Sequence, residues 1–391
     1  MPVAPCRSGN PQSAILWPLL AAMLYAAFAI YLYRPHFGGF SDWDWLLPVN
    51  ACGAALGGYV LSRRWVAGFT GSLLAGLVYG FGPFLLGLAK FHPAASLLAA
   101  GVPWLFVPAA VSRASRPRSK GITVSRASCP RFEGGTPSTQ KTPSTRRKWL
   151  SLPLWLLPFA VIALFFYLSA GRRLFAAPLQ ASVRPLDLAG FIAPLALIHR
   201  STALVGVYHV PVAPLALGLA MIWKARRYGI LFIAAAGLAL TFSGSFLGAG
   251  RVAWLGVSPI LWLSIPMVWC AVLSGIGLQG LIEAGPADKK WILAAAILLG
   301  FLAIVALVCS DAVRRSSYAL TGTLRTDLGD SSGRLFLQAA QIYLVGAAAT
   351  GIIFFLTRQN LRLHWLRWAL LCTALGLDIF LGATYIADRI I

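Results

Sequence analysis

The chain has 391 residues, of which 58% are hydrophobic and only 11% charged, with a net charge of +22. A soluble domain carries about 25% charged residues because its surface must meet water; a deficit of this size means that lipid covers much of this surface. The positive charge excludes little by itself, but it lies in loops between apolar runs and no nucleic-acid motif accompanies it, so topology and anionic lipid account for it.

A bilayer core about 30 Å thick needs about 20 apolar residues as helix. Runs that meet this are Ala14–Tyr33, Trp45–Ser62, Trp65–Ala89, Phe91–Ser112 and Trp149–Gly171. Further along come Ser201–Trp223, Tyr228–Gly250, Val252–Ile282, Trp291–Ser310, Leu335–Thr357 and Trp368–Ala387, the last interrupted by Asp378. The expectation is an all-α polytopic bundle of about 11 transmembrane helices. The first run exceeds the h-region of a signal peptide, about 7–15 residues, and reads as an uncleaved anchor. Placing the N-terminus in the cytoplasm puts 21 Lys and Arg residues inside and 12 outside, the bias that topology demands.

Three units follow: residues 1–112 as membrane hairpins, 113–148 as a basic linker, and 149–391 as a second membrane bundle. The linker is rich in Ser, Thr, Pro and Arg with one acid, Glu133, and cannot bury enough apolar surface to fold alone. It is expected to lie in the cytoplasm against anionic lipid. Leu188–Ile198 is too short to span and suggests a re-entrant or interfacial segment. Asp311–Arg334 reads as a long outer loop.

Cys52, Cys270, Cys309 and Cys372 lie in or at the end of apolar runs, and Cys6 and Cys129 in polar segments. No spacing suits a metal, so neither a disulfide framework nor a cysteine metal site is expected. "GIGLQG", Gly275–Gly280, matches G-x-G-x-x-G but lacks the strand and water that a dinucleotide site needs. Close helix packing explains it better, as it does Gly53/Gly57 and Gly76/Gly80 at G-x-x-x-G spacing.

The chain has only 11 acids, and most face the outer side in this topology. "SDWDW" sets Asp42 and Asp44 in a short loop between the first two helices, beside Trp43 and Trp45. A carboxylate held there can accept a proton from a sugar hydroxyl or ligate a divalent cation; solvated loop acids, or acids paired with Arg34, are the plain alternative. Lys90 and His92, in "KFHPAA", can bind a phosphate or assist proton transfer, or be an ordinary turn. His209 lies within a helix before Pro211, lining a cavity or bonding a freed carbonyl. Asp378 is the one acid deep in a span, a position that marks function by default and is also met by a satisfied structural residue.

Gly57–Pro93, "GGYVLSRRWVAGFTGSLLAGLVYGFGPFLLGLAKFHP", resembles the early helices of polytopic bacterial glycosyltransferases of the GT-C type, with a helix ending in Y-x-L-x-R-R, an AG-x-x-Y-x-F-x-P helix and an outer histidine turn. The resemblance implies a polyprenyl-phosphate sugar donor, a bacterial inner membrane and chemistry on the outer face. It also implies a catalytic acid in the first outer loop, where Asp42 and Asp44 stand, although that loop is shorter than the family's usual one. The lipid phosphate would depart towards basic groups on that side: Lys90, Arg200, Arg314 or Arg315. Beyond membrane lipids and this donor no partner is indicated, and no cofactor is named by the residues. The alternative is a non-enzymatic membrane protein, a transporter of a lipid or small anion or a subunit of a complex, in which Asp378 and His209 would matter most.

Overall fold

The computed structural model describes residues 11–39, 45–66, 68–91, 93–114, 212–224, 228–247, 259–285, 288–321, 327–359 and 363–390. Every element among them is helical. The N-terminal group comprises α1 (Pro11–Tyr33), a 3-10 turn (Arg34–Gly39), α2 (Leu46–Ser62), α3 (Phe69–Gly80), α4 (Pro83–Phe91) and α5 (Pro93–Ala114). The C-terminal group comprises α6 (Val212–Lys224), α7 (Gly229–Leu247), α8 (Pro259–Trp262), α9 (Ser264–Ile282), α10 (Lys289–Thr321), α11 (Asp327–Arg358) and α12 (His364–Ile390).

Five helical segments among the described residues are long and apolar enough to cross a membrane: Leu16–Gly38, Phe69–Ala89, Ser264–Ile282, Lys289–Ala312 and Phe336–Arg358. Their exposed faces are apolar too. Ile297, Phe301, Ile304 and Val308 follow one another along α10, each about 60% exposed. In water such a stripe would be unstable, whereas against acyl chains it costs nothing. The protein is a helical membrane protein.

The Trp65–Ala89 run is broken once. Pro83 has no N–H to continue the ladder, and its ring crowds the preceding turn. The chain therefore ends α3 at Gly80, with the Phe81 N–H on Leu77 O (2.9 Å), and restarts as α4. The Val252–Ile282 run likewise contains a break, at Leu263 between α8 and α9.

The largest departure from the sequence reading concerns Asp311–Arg334. That stretch is not simply a loop. Helix α10 continues through Asp311, Arg314 and Arg315 to Thr321, and α11 begins at Asp327, so the two form a long antiparallel hairpin. Its seam pairs Leu299, Ala303 and Ala306 with Ala339, Ala340 and Tyr343. Small residues at three- and four-residue spacing let the two backbones approach along their length.

Helix α9 is the hub, packing against α3, α6, α7 and α12. The glycines read as packing residues are what admit these neighbours. A Cβ on Gly275 would lie 2.4 Å from Gly71 O, one on Gly277 1.8 Å from Pro214 O, and one on Gly280 2.7 Å from Met221 Sδ. Gly57, Gly76 and Gly80 are closed in the same way by Trp104, Ala55 and Ala51, whereas Gly53 faces open space. The register also gives relative directions. Gly275 meets Gly71 while Gln279 meets Gly68, so α9 is antiparallel to α3; Gly277 meets Gly218 while Gly280 meets Met221, so α9 is parallel to α6.

Candidate functional site at one end of the bundle

At the end of the bundle where α9 closes and α12 begins, three helices are tied by long-range hydrogen bonds. Arg367 Nη1 donates to Ala284 O (2.7 Å), just beyond the C-terminus of α9, with the side chain only 3% exposed. A guanidinium there meets both an orphan carbonyl and the negative end of the helix dipole. Next to it Trp368 Nε1 donates to Thr70 Oγ1 (2.9 Å) on α3, and Gln279 donates to Glu283.

The opposite end, where α1 closes and α2 begins, is built differently. Tyr33 closes α1 as a buried side chain, and the 3-10 turn that follows buries His36 Nε2. The turn's Phe37 stacks on Trp45, with ring centroids 5.0 Å apart at 29°. Trp45 opens α2, and one turn further Asn50 Nδ2 donates to Ser96 Oγ (2.7 Å) in the first turn of α5. Ser96 Oγ in turn donates to Leu85 O (3.5 Å) on α4. Polar side chains in an apolar bundle need such partners, because lipid offers none. The ends of α1, α2, α4 and α5 therefore meet at one polar corner.

Of the expected site residues, Asp42, Asp44, His92, Arg200 and His209 lie outside the described residues. Lys90 is in the last turn of α4, at this corner. Arg314 and Arg315 are in the projecting part of α10, on a hairpin that packs chiefly on α6 and α12 rather than on α2, α4 or α5. The structure thus gathers at one place the elements ending at residues 39 and 91 and those starting at 45 and 93, and separates them from Arg314 and Arg315.

Comparisons with known proteins find no matching family model, curated protein or solved structure. The site must be judged on its own residues.

Asp378 stands apart from the corner. It is 7% exposed on α12, within electrostatic reach of Tyr343 on α11, itself 3% exposed. Phe380 packs on Phe28 and Tyr31, which places Asp378 level with the C-terminal half of α1. The sequence signals Asp378 through its rarity in an apolar run; it gives no sign of Tyr343 as its neighbour, nor of the Asn50–Ser96 pair. Among the described residues no group of His, Cys, Asp and Glu is arranged to hold a metal. Cys52, Cys270, Cys309 and Cys372 are free thiols.

Proposed function

We propose that this protein is a membrane-embedded glycosyltransferase of the GT-C kind, in a bacterial inner membrane, with its N-terminus in the cytoplasm and about 11 spanning helices. It transfers a sugar from a polyprenyl-phosphate donor at the outer face. The observation that carries the reading is the polar corner: the hydrogen bond from Asn50 to Ser96 and the Phe37–Trp45 stack hold together the helix ends that flank Asp42 and Asp44 on one side and His92 on the other.

In this reading a carboxylate of Asp42 or Asp44 accepts the proton of the acceptor hydroxyl. The acceptor oxygen bonds to the anomeric carbon as the bond from that carbon to the phosphate oxygen breaks. The lipid phosphate leaves with the electron pair, and Lys90 and His92 stabilise it. Removing the base is worth about 10²–10⁴-fold. Transfer from polyprenyl-phosphate hexoses in proteoliposomes should therefore fall by at least that much in the Asp42→Ala/Asp44→Ala double variant, with the folded yield unchanged. Wild-type transfer in the double variant would overturn the assignment.

A second reading, a non-enzymatic carrier or complex subunit, is favoured by one observation. Asp378 is an acid enclosed between helices, where a carrier keeps its functional charges.

A further inference from the structure

The apolar runs of this chain hold four carboxamides, Asn50, Gln279, Gln338 and Gln341. Asn50 donates to Ser96, and Gln279 donates to Glu283. Gln338 and Gln341 differ. They stand one turn apart on α11, both are exposed, and neither makes a hydrogen bond among the described residues.

Their depth makes this costly. Helices α10 and α11 are antiparallel, and Gly346 meets Leu299, so Gln341 and Gln338 lie level with Ile304 and Leu307. Those two side chains are 62% and 48% exposed, as befits a layer that faces lipid. The first charge beyond them on α10, Asp311, is seven residues past Ile304, or about 10 Å. An amide at this depth finds no partner in acyl chains.

The two amides head a regular stripe. Gln338, Val345 and Ile352 recur every seven residues, as do Gln341, Ala348 and Phe355, and all six are exposed. This is the a/d pattern of a helix–helix seam. It lies on a different face of α11 from Ala339, Ala340 and Tyr343, which form the seam with α10. Between Arg334 and Arg358 the helix has no Asp, Glu, Lys or Arg, so no charge on this face repels an identical one.

We propose that the protein forms a two-fold dimer in the membrane, pairing this face of α11 with the same face of a second copy. A carboxamide carries both a donor and an acceptor, so identical amides satisfy each other across the axis: Gln338 meets the partner's Gln338, and Gln341 the partner's Gln341. Both copies share one orientation in the bilayer, so the two α11 helices run parallel. The seven-residue repeat sets their shallow left-handed crossing, and polar residues at seam positions fix the register. A second copy fits better than another helix of the same chain, because no other apolar run brings two amides and the remaining ones are already paired. The dimer is independent of the transferase reading, since its test does not use transfer.

The test counts chains per particle in liposomes by single-molecule photobleaching, at increasing protein density. The wild type should pass from one chain to two and no further. Gln338→Leu/Gln341→Leu keeps the face compatible with lipid and should raise the dissociation constant about tenfold or more. In membranes under mild oxidation, Val345→Cys should form an inter-chain disulfide. Phe301→Cys, at a position 59% exposed on α10, and the wild type should not. A wild type that stays single at every density, a double Leu variant that pairs as tightly as wild type, or equal cross-linking in Phe301→Cys would each overturn the proposal. If the double Leu variant fails to fold, a Val345→Cys chain that does not cross-link overturns it equally.

Discussion

The two ends of the bundle solve one packing problem with different emphasis. At the end where α9 closes, contacts are made by absent side chains and by long-range capping: Gly71, Gly275 and Gly277 let helix backbones touch, and Arg367 and Trp368 tie α12 to α9 and α3. At the end where α2 begins, side chains are present and polar, and they satisfy one another across helices, as Asn50 and Ser96 do. Backbone-to-backbone packing leaves no room to move and none to bind. Side-chain pairing leaves groups that a substrate can replace. The lesson is that chemistry is expected where the helices are held apart by functional groups rather than where they are fused by glycine.

The contrast can be broken most sharply at Gly277. A Cβ there would sit 1.8 Å from Pro214 O, a backbone atom that cannot turn aside. Gly277→Val should lose the folded monodisperse species altogether, whereas Gly53→Val, facing open space, should keep it; size-exclusion profiles of the two variants decide. Next in size comes Arg367→Met, which removes a charge-assisted hydrogen bond and leaves the Ala284 carbonyl buried. A loss of about 1.5–3 kcal/mol is expected, read as a lower midpoint in denaturant titration. The smallest effect belongs to Asn50→Ala. A polar pair between membrane helices is worth about 0.6 kcal/mol, so stability should barely change. Under the proposed function, transfer should nevertheless fall, because the α2 and α5 ends are no longer held in register. An Asn50→Ala variant that loses stability but keeps transfer would place the corner with the structural end of the molecule.

Much of the fold was legible because hydropathy reports what must lie in lipid. The expected start of the second helix at Trp45 and its end at Ser62 differ from α2 by one residue at one end. The stretch Asp311–Arg334 was misread for the same reason: a charge ends an apolar run but not a helix, since backbone hydrogen bonding continues wherever the residues tolerate it. The break before Pro83 was written in "FGP" and was passed over because the run stayed apolar across it. The site was less legible. Asn50 and Ser96 are 46 residues apart in the chain, and only knowledge of which helices are neighbours pairs them. Which face of α1 turns inward was equally hidden, because that helix is apolar all round; the structure buries Ala21, Tyr25, Ala29 and Leu32. Asp42, Asp44 and His92, on which the sequence argument leaned most, lie outside the described residues, so their role rests on the elements around them.

The hairpin carries one more consequence. Helices α10 and α11 have 33 and 32 residues, about 50 Å of rod, against a hydrocarbon slab of about 30 Å. The apolar segments fix its depth, so the surplus all emerges on one side. From Ser310 to Thr321 the rod rises about 16 Å, more than the thickness of a headgroup layer. The hairpin is a mast of fixed height. An epitope grafted at its tip would stand clear of the lipid surface, and whether an antibody reaches it from outside an intact cell reads the orientation of the whole chain in a single step.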